Sequence, residues 1–104
     1  MGLGSVGACI AYKVHLMGAV VVALDEQEKM LPYVSQEYSI EEIEEFLSRA
    51  DFVVVALPLT DITEGILGER EFKMMKRSAY LINVSRGPLV QEKALIEALK
   101  QNVI

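Results

Sequence analysis

At 104 residues, 52% of them hydrophobic and 24% charged, the chain has material for one small core and not for two. A formal charge of −5 and a pI near 4.8 exclude a nucleic-acid partner, because such affinity rests on clustered Lys and Arg and no basic stripe exists here. The Val-rich runs at 19–24 and 52–58 hold six and seven residues, against the roughly 20 that span a bilayer, so no membrane partner is expected. The single cysteine, Cys9, rules out an intrachain disulfide and fits the cytoplasm.

The chain opens on Gly2-Leu3-Gly4-Ser5-Val6-Gly7, a complete G-x-G-x-x-G. Val6, Cys9, Ile10, Val14 and Met17 then recur at helical spacing, predicting a helix over 6–17 that Gly18 stops. Residues 19–24 read as a strand buried on both faces, closed by Asp25. The polar stretch 26–38 leaves room for a short edge strand around Tyr33 and Val34. Ser39 and Glu42 form a capping box ahead of Ile43, Phe46 and Leu47, predicting a helix over 40–48 whose Glu41, Glu42, Glu44 and Glu45 make a solvated face.

A second buried strand follows at 52–57, closed by Pro58, then a polar loop over 60–68 and a short helix over 69–76. Residues 79–84 read as a third strand, and 91–101 as a last helix with Ala94, Leu95, Ala98 and Leu99 inward. Alternation of strand and helix implies an α/β fold, a Rossmann-type doubly wound parallel sheet with right-handed crossovers. The sheet is expected to be incomplete. The central strand that should lead into Gly2, and the last strands, are not in these residues. Losing a central strand removes an amount comparable to the roughly 5–15 kcal/mol stability of a domain.

Each glycine of the loop has a physical role in dinucleotide binding. Gly2 permits the tight turn, Gly4 lets backbone approach a pyrophosphate, Gly7 lets helix pack on sheet, and the helix N-terminus faces the negative charge. Asp25 lies 18 residues after Gly7, near the roughly 20 expected of the acid that binds the adenosine ribose. An acid there selects NAD, since it bonds a 2′-hydroxyl and repels a 2′-phosphate; the plainer reading is a surface or capping aspartate.

Ligands of open α/β sheets sit beyond the carboxyl ends of the strands. Three such ends carry Asp25, then Leu57-Pro58 with Thr60 and Thr63, then Asn83-Val84-Ser85-Arg86-Gly87. The donor fork of Arg86 suits a substrate carboxylate, although spacing alone favours an ordinary loop arginine in a surface salt bridge.

Two stretches, Ala50 through Thr60 with Thr63-Glu64-Gly65, and Leu81-Ile82-Asn83-Val84-Ser85-Arg86-Gly87-Pro88-Leu89-Val90, carry a resemblance that runs from Gly2 to Ile104. The chain resembles the NAD-binding domain of the D-isomer-specific 2-hydroxyacid dehydrogenases, the family of phosphoglycerate dehydrogenase and of glyoxylate or hydroxypyruvate reductase. That resemblance implies hydride transfer between C4 of nicotinamide and C2 of a 2-hydroxy or 2-oxo acid. It makes Arg86 the catalytic arginine, which binds the carboxylate and polarises the carbonyl. Ser5, Val6, Asp25, Leu57, Val84 and Ser85 match positions lining the dinucleotide. Together with Gly2, Gly4, Gly7, Pro58, Thr63 and Arg86 they form the expected cofactor set, and no metal is expected.

The departures bear on activity. The family's acid/base glutamate and histidine lie downstream of this segment, and His15, in the first helix, cannot substitute for them. Gln91 replaces the aspartate usual before the last helix, which weakens a cap. Residues 1–104 are therefore expected to be a partial NAD-binding domain, without the substrate domain or the arm through which family members dimerise, and inactive alone. The rival expectation is a shortened, non-catalytic NAD-binding or interaction module. A related dehydrogenase acting on formate or an amino acid is less favoured by the Asn-Val-Ser-Arg-Gly segment.

Overall fold

The computed structural model describes all of residues 1–104. In chain order the elements are α1 (Ser5–Leu16), β1 (Val22–Leu24), β2 (Gln36–Tyr38), a 3-10 turn (Ile40–Glu42) leading into α2 (Ile43–Arg49), β3 (Phe52–Val55), α3 (Glu69–Met74), β4 (Tyr80–Asn83), a second 3-10 turn (Gly87–Leu89) and α4 (Glu92–Lys100). No helix is long and apolar enough to cross a membrane.

All strand pairing is parallel, as the alternation predicts, but the strands form two pairs in place of one continuous sheet. β1 pairs with β2 in the register Val22 to Gln36, and β3 with β4 in the register Phe52 to Tyr80. Met1 and Gly2 lie between the pairs and hydrogen-bond to both. The Met1 amine donates to the Val54 carbonyl at 2.8 Å, Ala56 N–H donates to the Met1 carbonyl at 2.8 Å, and Gly2 N–H donates to the Leu24 carbonyl at 2.7 Å. Bonds from one residue to the two neighbours of Val55 are what a parallel ladder makes. Below this bridge a cavity of about 790 Å³ separates β1 from β3, lined by Ile10 and Val14 of α1, Phe46 of α2, and Val22, Phe52 and Val54 of the strands.

The main core gathers Leu24, Tyr38, Leu47, Val53, Val55, Leu67, Phe72 and Leu89, all buried. Side chains of this size contribute about 1.5–3 kcal/mol each on burial. Ser39 and Glu42 do form the capping box, with the Glu42 carboxylate accepting from Ser39 N–H at 2.8 Å.

Three local expectations are corrected. The edge strand sits at Gln36–Tyr38 and not at Tyr33 and Val34, because Tyr38 is the residue that turns into the core, and its carbonyl accepts from Asp25 N–H at 3.1 Å. In α1 the residues fully buried are the small ones, Gly7 against the Gly2 carbonyl and Ala11 beside Leu3 and Ala23, while Val6 is exposed and Ile10, Val14 and the exposed Met17 face the cavity between β1 and β3. In α4 only Ala98 is fully buried, and Leu99 points outward.

Candidate functional site

The site is built along one rim, at the carboxyl ends of β1, β3 and β4. Gly2 has φ +89°, a left-handed conformation that favours glycine, and a Cβ there would lie 2.7 Å from the Ala56 carbonyl oxygen. Gly7 is packed against the loop itself, where a Cβ would lie 1.9 Å from the Gly2 carbonyl oxygen. Gly4 differs from both. A Cβ there would meet nothing within 4 Å, so the face of Gly4 is open to an incoming group.

Gly4 caps α1 with its backbone alone, its carbonyl accepting from Ala8 N–H at 2.8 Å, and no side chain satisfies the first turn. The N–H groups of Ser5, Val6 and Gly7 therefore have no partner, and the first turn holds no acidic residue to compete for them. Unpaired donors at the positive end of a helix dipole form an anion site. Ser5 and Val6 are exposed there, as a direct contact requires.

Asp25 leaves the end of β1 and reaches the glycine loop. One carboxylate oxygen accepts from Leu3 N–H at 2.7 Å, the other from Gln27 N–H at 3.0 Å. Each oxygen keeps a further lone pair for a hydroxyl. The carboxylate also acts on the Met1 amine, whose pKa is pushed down to about 5 by burial and pulled back in part by the charge of Asp25.

Across the bridge, the ends of β3 and β4 are tied together. Val84 N–H donates to the Val55 carbonyl at 3.1 Å, and the Ser85 hydroxyl makes a very short bond to the Leu57 carbonyl. Leu57 is buried, whereas Pro58 and Val84 are exposed on the rim. Thr63 is buried and its hydroxyl is engaged within its own loop, donating to the Pro58 carbonyl at 2.5 Å and accepting from Thr60 N–H at 2.9 Å. That leaves little of Thr63 for a direct ligand contact.

Arg86 is exposed, and its guanidinium makes one long bond, to the Ser85 carbonyl at 3.3 Å. None of the three salt bridges of the molecule involves it. The ordinary surface ion pair that spacing alone allowed is thus not formed. His15 lies on the exposed side of α1 with its ring 6.4 Å from that of Tyr33. Gln91 does not cap α4; its side-chain amide donates instead to the Gly65 carbonyl at 2.8 Å.

An uncapped helix, an acid at the next strand end and an unpaired arginine at the last fit a dinucleotide with an acid substrate beside it. The sequence model described as D-isomer specific 2-hydroxyacid dehydrogenase, NAD binding domain, matches residues 1–104. The chain belongs to that family. Among the relatives of this family member is a glyoxylate/hydroxypyruvate reductase B of Enterobacter sp. strain 638, 39% identical over 106 residues that cover 100% of this chain and 32% of the reductase. A D-isomer specific 2-hydroxyacid dehydrogenase of Xanthobacter autotrophicus Py2, solved with NADPH and MES, superposes with a TM-score of 0.95 at 39% identity, covering 99% of this chain and 33% of its own. Another, from Lactobacillus delbrueckii ssp. bulgaricus in its NAD complexed form, gives a TM-score of 0.92 at 38% identity, covering 99% of this chain and 30% of its own. The 2-hydroxyacid dehydrogenase domain described here thus spans about a third of the length of these relatives.

Within this NAD-binding domain the structure adds three groups that the sequence did not single out for these roles. Leu3 N–H is the donor through which Asp25 holds the loop. The Leu57 carbonyl is the anchor of Ser85. Asn83, quoted only as part of the Asn-Val-Ser-Arg-Gly stretch, bonds to both residues that follow Val84.

Proposed function

We propose that these residues form the dinucleotide half, and the carboxylate-binding arginine, of an NAD-dependent D-2-hydroxyacid dehydrogenase. The observation that carries this reading is the placement of an unpaired Arg86 on the same rim as an uncapped α1 and Asp25. Ser5, Val6 and Gly7 N–H groups hold the pyrophosphate, and the open face of Gly4 lets it approach. Gly2 and Gly7 give the loop its shape. Asp25 accepts from the ribose 2′-hydroxyl and disfavours a 2′-phosphate, so NAD is preferred over NADP. Leu57, Pro58, Val84 and Ser85 wall the nicotinamide end, and Thr63 acts by shaping the loop beneath Pro58.

The bound nicotinamide supplies or accepts the hydride. Arg86 holds the substrate carboxylate with two parallel N–H donors and polarises the C2 carbonyl, stabilising the charge that grows on its oxygen. The substrate class is a small 2-hydroxy or 2-oxo acid, handled in the cytoplasm by a longer protein that is a homodimer. Proton transfer falls to residues outside 1–104, because the one histidine, His15, faces away beside Tyr33.

A second reading, a non-catalytic NAD-binding or interaction module, is favoured by the Met1–Gly2 bridge, which holds both strand pairs and hence the whole rim together. The two readings diverge at Arg86. Calorimetry of the chain with NADH, followed by oxamate as an inert 2-oxo acid mimic, is expected to show an oxamate site that Arg86→Ala abolishes. An oxamate affinity indifferent to that change favours the module. Neither reading allows steady oxidation of NADH with glyoxylate or hydroxypyruvate by these residues alone, and turnover above background contradicts both.

A further inference from the structure

We infer that Asn83 is the positioning residue for Arg86, clamping the backbone on both sides of Ser85 so that the guanidinium starts from a fixed point on the rim. This rests on the role proposed above for Arg86. Asn83 is the last residue of β4, so its own backbone is set by the sheet. Its side-chain oxygen accepts from Ser85 N–H at 3.0 Å, and its side-chain nitrogen donates to the Arg86 carbonyl at 2.9 Å. One planar amide thus spans the peptide that carries Arg86, using a donor and an acceptor that only an amide presents together in this geometry.

Other contacts complete the fixation. The Ser85 hydroxyl is tied to the Leu57 carbonyl, which couples the segment to the end of β3. Beyond Arg86, Pro88 is the second residue of the 3-10 turn, with φ set by its ring, and its carbonyl accepts from Gly65 N–H at 2.8 Å. The Arg86 backbone is therefore held before and after, while its side chain has only the 3.3 Å bond to Ser85. A carboxylate-binding arm needs that combination, since a guanidinium already tied to a protein carboxylate would have to be freed before it could bind a ligand.

The test uses the full chain with NADH and oxamate. Asn83→Ala removes both bonds and is expected to weaken oxamate about five- to tenfold. A smaller loss is expected for NADH, which meets Ser85 but not Arg86 as its main contact, and the melting temperature should fall by no more than about a few degrees because Asn83 is exposed. Asn83→Asp keeps the acceptor for Ser85 N–H but turns a carboxylate towards the Arg86 carbonyl and offers the guanidinium a competing anion. It is therefore expected to be the worse of the two for oxamate, the reverse of what an isosteric change gives at a purely structural position. The inference is overturned if both variants bind oxamate within twofold of the unaltered chain, or if NADH affinity and melting temperature fall in step with oxamate. Arg86→Ala separates the two levels. If it binds oxamate normally, the proposed role of Arg86 fails and the clamp with it; if it does not, normal binding by both Asn83 variants refutes the clamp alone.

Discussion

Gly4 and Gly7 stand three residues apart in the same loop, yet alanine at each should fail in a different way. At Gly7 the added Cβ would sit 1.9 Å from the Gly2 carbonyl oxygen, a backbone atom. Gly2 cannot retreat easily. Its N–H is bonded to the Leu24 carbonyl at 2.7 Å, and its own Cα faces the Ala56 carbonyl. Overpacking of this kind costs about 1–3 kcal/mol, against which alanine recovers roughly 1 kcal/mol of helix propensity inside α1. A net loss of up to about 2 kcal/mol follows, and the 1.9 Å approach to a backbone atom puts Gly7→Ala at the upper end, a large part of what a small domain has. At Gly4 a Cβ meets nothing, so Gly4→Ala should unfold within about 0.5 kcal/mol of the unaltered chain. Its methyl group, however, projects into the space from which a pyrophosphate reaches the free N–H groups of Ser5 and Val6. Urea unfolding followed by far-ultraviolet circular dichroism, with NADH calorimetry on the same samples, should find Gly7→Ala less stable, and Gly4→Ala stable but at least tenfold weaker for NADH. If Gly4→Ala loses as much stability as Gly7→Ala, or binds NADH normally, the division of roles within the loop is wrong.

Further outcomes follow from the same geometry. Asp25→Ala removes the acceptor of Leu3 N–H in a half-buried setting and should cost about 1.5–3 kcal/mol in urea unfolding, whereas Asp25→Asn should cost less than half of that. Asp25→Ser should raise the affinity for NADPH relative to NADH, read as a ratio of dissociation constants. Thr63→Val should lower the melting temperature by loosening the bonds to Pro58 and Thr60, with a smaller effect on oxamate than Arg86→Ala. The Met1 amine, with its pKa depressed from 8.0 to about 5, is neutral in the folded chain where the unfolded chain is protonated. Its stabilising contribution is complete above pH 8 and is lost as pH falls from about 8 to about 5, a change on the order of 4 kcal/mol. Acetylation of that amine should flatten this part of the stability profile.

What the sequence made legible followed from strong local chemistry. The two Val-rich runs at 19–24 and 52–57 marked parallel strands, and β1 and β3 lie within them. Burial on both faces holds only in part: Val20 and Phe52 are exposed and Val22 and Val54 half-buried, because the cavity between β1 and β3 leaves one side of each strand uncovered. The Ser39–Glu42 box marked the entry to α2 because its two bonds are local. The positions of Asp25 and Arg86 were also legible, since fold topology alone puts them beyond the carboxyl ends of β1 and β4, where they lie. The polar stretch before α2 was not. There, the Glu37 carboxylate gathers the N–H groups of Lys29 and Met30 at 3.1 Å, and Tyr38 rather than Tyr33 or Val34 fills the core. Pairings of that kind depend on which backbone groups meet in space, so β propensity at Tyr33 and Val34 pointed to the wrong place. The burial of α1 differs for another reason: the apolar stripe that ends at Met17 does face inward at Ile10 and Val14, but onto the cavity between β1 and β3, so only Gly7 and Ala11, packed on the glycine loop and on Ala23, are fully buried. Asn83 and the Leu57 carbonyl act through backbone contacts that no spacing rule reveals.

That residues 1–104 hold NAD through the glycine loop and Asp25 is tested most directly by calorimetric titration of the chain with NADH and with NADPH at matched ionic strength. One saturable site, tighter for NADH than for NADPH and lost in Gly4→Ala without loss of folding, is the result expected. An absence of NADH binding by a cooperatively folded chain, or a preference for NADPH, would contradict it.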